Sequence, residues 1–292
     1  MLYTKHNISD LDLTKYTRFV TIGCSFTRWR WPTWADCLAQ EMPNAKHVNL
    51  ARGGAGNTYI NSMLNIVSRQ HNFGPETLVG IMWSTICRED RFIVENPKSN
   101  EIFGMSAGWY TPGNIMGINN QNLFISADAL EPAHYLVRDL ALISSANSYL
   151  RTAKFDTLNA CSLDMDSQIS DQHGHTDRFG DKTLKMMSDH IRLYKDLDDD
   201  FVGYMITNGE PWPEGHTYPL GDNPNHKDYH PRSTDYVKYL ESWGIPLSDS
   251  TKSFAQKATN DICEITDPEW QKYWPWNDMP PADDRTFLKD LF

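Results

Sequence analysis

Residues 19–27 read Phe-Val-Thr-Ile-Gly-Cys-Ser-Phe-Thr, the most informative stretch of the chain. Phe19 to Ile22 is a short apolar run rich in β-branched residues, the pattern of a strand buried on both faces. Gly23 then lets the backbone turn sharply and leaves Ser25 exposed at the strand's C-terminal edge. Along that edge of an open parallel sheet, ligands and reacting groups collect. A polar strand-to-helix turn would also use a serine there, so Ser25 acquires meaning only beside two later segments of the chain.

Downstream, His47 to Leu50 is a second strand candidate and Leu78 to Trp83 a third. Between the first two, Pro32-Thr33 introduces a helix whose apolar stripe is Trp34, Cys37 and Leu38, and Pro43-Asn44 ends it. Between the second and third, Ile60, Met63, Leu64 and Val67 follow the i, i+3, i+4, i+7 pattern of a helix. This β-α-β-α-β order predicts an α/β fold, a parallel sheet with helices on both faces. Glu131-Pro132 opens an apolar helix running to Leu150, with Leu136, Leu140 and Ile143 on its buried side. Leu158 to Leu163 is a fourth strand candidate; Phe201 to Ile206 fits a fifth strand or a helix turn. A segment at about 91–130, rich in Asn, Gly, Ser and Pro, reads as a loop-rich insertion able to cover a site. Pro211 to Pro231 is a loop that delivers His230 to a helix carrying Tyr236, Val237 and Leu240. The main domain is expected over 1–243. A C-terminal extension over 244–292, with a short helix near Phe254 to Ile262, is expected to pack on it.

The chain has 292 residues and a formal net charge of −11. An acidic surface without a basic, aromatic-interleaved patch excludes a nucleic-acid partner. The N-terminus lacks the apolar core of a signal peptide, and no stretch approaches a membrane span, so a cytoplasmic protein with no membrane partner is expected. Five widely spaced cysteines give no disulfide framework or zinc pattern; Cys37, Cys87 and Cys161 read as buried free thiols.

Three blocks carry the chemistry: Gly23-Cys24-Ser25, the loop Asn49-Leu50-Ala51-Arg52-Gly53-Gly54-Ala55-Gly56-Asn57, and Asp228-Tyr229-His230-Pro231. Their order resembles the SGNH, or GDSL-like, hydrolase family in a divergent form. The resemblance covers the first ninety or so residues and about a dozen around His230. It implies a flavodoxin-like, three-layer α/β/α sandwich. It also implies Ser25 as nucleophile, His230 as its base, Asp228 to orient the histidine, and an oxyanion hole that includes the amide of Gly54. The chain departs from the family in three places. Cys24 stands where an aspartate commonly braces the serine loop. Trp83-Ser84-Thr85-Ile86-Cys87-Arg88-Glu89 replaces the usual Gly-x-Asn-Asp, removing the side-chain amide of the oxyanion hole. The late aspartate lies two residues before the histidine, and Lys227 holds the usual position.

A serine hydroxyl needs a base and amide donors to become a nucleophile at neutral pH. The amides of Ser25 and Gly54 meet part of that need. For a third donor the candidates are Ser84 and Thr85 at the end of the third strand, then Asn57, then Arg88. Asn57 is equally readable as a helix N-cap. Arg88 suits a substrate carboxylate or phosphate, or a structural pair with a loop acid. Trp29 and Trp83 suit a pocket for a flat or sugar-like ligand, and equally a packed core. His173 and His175, flanked by Asp171 and Asp177, form the one metal-like constellation and read more simply as solvated loop. No cofactor and no metal are expected. The expected function is hydrolysis of an acyl ester through a Ser25 acyl-enzyme. Its substrate would be a small-molecule or carbohydrate ester, with O-acetylated carbohydrate first among them. The alternatives are a non-catalytic protein of the same fold that binds a glycan or partner, and a metal-dependent phosphoesterase built on His173 and His175.

Overall fold

A computed structural model describes residues 1–3, 7–29, 31–86, 88–93, 108–111, 113, 132–162 and 230–264. The strands are β1 (Leu2–Tyr3), β2 (Arg18–Ile22), β3 (Lys46–Asn49), β4 (Thr77–Trp83), β5 (Arg91–Ile93), β6 (Gly108–Tyr110) and β7 (Asp156–Cys161). The α-helices are α1 (Trp34–Gln40), α2 (Asn57–Gln70), α3 (Pro132–Leu150), α4 (Ser233–Ser242) and α5 (Asp249–Glu264). Five strands pair in parallel in the order β1-β7-β4-β2-β3, and β5 pairs with β6 in a separate antiparallel ribbon.

The central strands β2 and β4 are buried along both faces, which is why Phe19 to Ile22 and Leu78 to Trp83 read as short apolar runs. Side chains alternate across each strand. Val20 and Ile22 of β2 and Val79, Ile81 and Trp83 of β4 pack with α2 and α3. On the opposite face Phe19, Leu78, Met82 and Leu158 pack with Trp34 and Leu38 of α1, Tyr236 and Leu240 of α4, and Ala255 of α5. The result is the parallel sheet with helices on both faces that the β-α-β-α-β order predicts, the three-layer α/β/α arrangement implied by the resemblance.

The chain leaves β2 for the edge strand β3 and then crosses back to β4 on the other side of β2. The reversal opens a crevice between the C-terminal ends of β2 and β4, where Ile22 pairs with Ile81. Open α/β sheets bind ligands at such a switch point. Ser25 follows β2 and Ser84 follows β4, so both stand at its rim.

Three features differ from the sequence-based expectation. Leu2–Tyr3 adds a fifth strand beside β7, too short for any periodicity to reveal. The insertion holds the β5–β6 ribbon within what reads as loop. Helix α5 begins at Asp249, ahead of Phe254, because its first turn is fixed by tertiary contacts: Ser248 donates from N and Oγ to Glu41, both at 2.8 Å. Thr234 N also donates to Thr259 Oγ1 at 3.2 Å, tying α5 to α4. Phe201–Ile206, most of the insertion and 265–292 lie outside the described residues. No described helix is long and apolar enough to cross a membrane.

Candidate active site

The loop after β2 is held from several directions. Thr27 N and Arg28 N donate to Cys24 O at 3.0 and 3.2 Å, folding the chain into a tight turn around Ser25. Thr27 O accepts from Thr33 Oγ1 at 2.7 Å and from Asn49 Nδ2 at 2.9 Å, and Thr27 Oγ1 accepts from Trp34 Nε1 at 3.2 Å. Asn49 Oδ1 in turn accepts from Ala51 N at 3.1 Å, linking the serine loop to the glycine loop. These bonds brace the serine loop, while Cys24 is wholly buried in the core. Ser25 lies at the sheet edge as expected but is only 7% exposed, so the site is more enclosed than Gly23 alone suggests.

His230 comes to this same loop. Its ring stacks on Trp29 at 3.6 Å between centroids and 17° between planes, and tilts against Phe26 at 5.2 Å. The backbone beside it is pinned across 200 residues, where Trp31 Nε1 donates to Pro231 O at 2.7 Å. Ser233 Oγ donates to Pro32 O at 2.8 Å and anchors the start of α4. The serine block and the histidine block therefore meet in space. Asp228, the remaining member of the expected set, lies outside the described residues, as do Cys87, His173 and His175.

The glycine loop turns through Gly54 at φ +75°, a left-handed conformation that favours glycine. A Cβ there would also collide with the Thr111 carbonyl oxygen, because the segment after β6 crosses directly over it. Thr111 Oγ1 donates to Gly53 O at 2.9 Å and holds that crossing in place. Gly54→Ala is expected to destabilise the fold by about 1–3 kcal/mol through strain alone, read from the midpoint of urea unfolding. An unchanged midpoint would show that the loop relaxes freely.

Asp90 caps α2 from outside the helix. Its two carboxylate oxygens accept from Gly56 N at 2.8 Å and Tyr59 N at 2.9 Å, satisfying donors that a helix start leaves without partners. Burial pushes its carboxyl upward, against the pull of those two amides and of Arg138 and Arg88. Arg88 Nη1 donates to Ala55 O at 3.0 Å and its Nε to Thr85 Oγ1 at 2.9 Å. These two bonds make Arg88 a brace for the glycine loop, and the side chain is buried beside it.

Asn57 also differs from expectation. Gly56 is the N-cap and Asn57 the first helical residue. Its side-chain amide is fully committed: Nδ2 donates to Ser84 O at 3.0 Å and Asp139 Oδ2 at 3.1 Å, while Oδ1 accepts from Ser84 N at 2.8 Å. No N–H remains for an oxyanion. Burial raises the Asp139 carboxyl to about 6, opposed by the adjoining Arg138. The clamp fixes the Ser84 backbone but leaves the Ser84 hydroxyl buried and, among the described residues, without a hydrogen-bond partner. Trp83, expected to line a pocket, is fully buried in the core because Asn159 Oδ1, on the neighbouring strand, accepts its indole N–H at 2.8 Å. Asp90, Asn49 and Asp139 went unread in the sequence; a loop aspartate or strand-end asparagine shows its role only through partners distant in the chain.

Buried thiols at Cys37 and Cys161 match the sequence-based expectation, and burial drives the Cys37 thiol upward. Among the described residues no group of three or more His, Cys, Asp or Glu is placed to hold a metal.

No protein-family model matches the sequence of this chain, and no curated protein is similar to it in sequence. Solved structures do match. The chain is similar to a G-D-S-L family protein. That structure is a member of the lipolytic protein G-D-S-L family from Veillonella parvula, 13% identical, with a TM-score of 0.36, covering 77% of this chain and 94% of its own. A second, the YXIM protein from Bacillus subtilis, is 9% identical with a TM-score of 0.31. That match covers 84% of this chain but 56% of the other, so this chain spans about half the length of its counterpart.

Proposed function

We propose that the chain is a serine ester hydrolase that works through a Ser25 acyl-enzyme. The observation that carries this reading is the meeting of the Ser25 loop with His230, through Phe26 and Trp29, at the switch point of a parallel sheet. In the proposed reaction Ser25 Oγ attacks the ester carbonyl carbon as His230 takes its proton. The tetrahedral oxyanion is met by the amides of Ser25 and Gly54. His230 then returns the proton to the departing alcohol, and water, activated by the same histidine, releases the acid.

Ser84 is the proposed third donor. Among the described residues its hydroxyl is buried with no hydrogen-bond partner at the rim of the crevice, whereas the Asn57 amide is spent; Thr85 Oγ1 accepts from Arg88 but keeps its own O–H and ranks second. Ser84→Ala is expected to lower kcat by about 10²–10³ with little change in KM, the usual loss for one such donor. A wild-type rate would mean that the site works with two donors.

Of the two tryptophans that suit a sugar-like ligand, Trp83 is a core residue and Trp29 is engaged with His230. The proposed substrate class is a short acyl ester, with O-acetylated carbohydrate one member of it. A fluorophosphonate probe should label the protein once, on the peptide containing Ser25, as located by mass spectrometry. Labelling elsewhere, or none, would remove the serine-hydrolase reading and leave a binding protein of this fold.

A further inference from the structure

We infer that Trp29 is the positioning residue for His230: its indole face holds the imidazole in the plane from which it serves Ser25. This rests on the esterase reading above. An imidazole can turn about two side-chain torsions, and a base must be held within hydrogen-bond reach of the proton it takes. In the family that the sequence resembles, a carboxylate performs that task. In this chain the near-parallel stack of His230 on Trp29, at 3.6 Å and 17°, restricts the ring directly.

The indole is itself fixed. Trp31 meets Trp29 edge-to-face at 6.1 Å and 90°, and Trp31 is 1% exposed. Trp31 also donates to Pro231 O, so one core tryptophan sets both the plate and the backbone of the residue resting on it. Phe26 bounds the imidazole at 5.2 Å. Phe26, Trp29 and Trp31 follow Ser25 closely in the chain, so the nucleophile and the residues that bound the ring plane come from one stretch of sequence. A flat indole face also favours the imidazolium that forms as Ser25 attacks.

Misplacing a catalytic group by a fraction of its reach costs up to about 10²-fold. Trp29→Ala is accordingly expected to lower kcat for a p-nitrophenyl ester about 10- to 100-fold while KM moves less than about threefold. Trp29→Phe restores a flat face and should recover most of the loss. A structural readout runs alongside: in a protein labelled at histidine, the His230 ring protons should lie upfield in the wild type, under the indole ring current. They should move downfield in Trp29→Ala. Full activity of Trp29→Ala, with Ser25-dependent turnover intact in the wild type, would overturn this role and spare the esterase reading. Equal loss in Trp29→Phe and Trp29→Ala, with His230 resonances unmoved in both, would also overturn it. A wild type without Ser25-dependent turnover would sink the esterase reading, and this role with it.

Discussion

Ser25→Ala is expected to abolish hydrolysis of a short p-nitrophenyl ester, a loss on the order of 10⁴–10⁶ in kcat, together with all fluorophosphonate labelling. The substitution deletes one oxygen and leaves the loop's supports untouched, since Thr27, Thr33, Asn49 and Trp34 hold it through other atoms. Its melting temperature should therefore stay close to that of the wild type, so that lost turnover reports chemistry rather than unfolding. Equal turnover by mutant and wild type would remove Ser25 from the mechanism.

His230→Ala should cost about 10²–10⁴ in kcat, the size of a general base lost from beside a nucleophile. The backbone there is anchored independently by the Trp31–Pro231 and Ser233–Pro32 hydrogen bonds, so the segment should keep its course without the ring. Asp228→Ala is the informative companion. A loss as large as that of His230→Ala would describe a triad with shortened spacing. A small loss would describe a dyad whose histidine is oriented by aromatic contact. A rate unaffected by His230→Ala would exclude it as the base.

How much of the fold and site was legible in the sequence depends on where each residue's partner lies. Strands β2 and β4 were readable to within one residue because burial on both faces makes each a short apolar run; β3 and β7, which carry polar residues, were placed to within one and two residues. Helix α3 was readable from its period: Leu136, Leu140 and Ile143 recur on one buried side. Side-chain roles were harder. Asn57 carried two readings, as cap or donor, and the structure gives it a third, as a clamp on a residue 27 positions away. Trp83 fitted a pocket or a core until Asn159, 76 positions on, claimed its indole N–H. Asp90 gave no signal, since the amides it caps lie 31 and 34 residues earlier. The loop positions of Ser25, Gly54 and His230 were readable because each sits at a local break, where glycine or proline marks the turn.

The sheet's strand lengths also bear on how the molecule behaves toward copies of itself. Among the described residues the central strand β4 has seven residues and its neighbours β2 and β7 five and six, whereas the outer strands β3 and β1 have four and two. A free edge strand is a template on which another chain can add a strand, and shortness is one defence against that. Here the long, apolar strands that would aggregate most readily are sealed on both sides. The outermost ladder presents little backbone, and Lys46 stands exposed on one of its strands. Edge-to-edge association through this sheet is disfavoured by its taper.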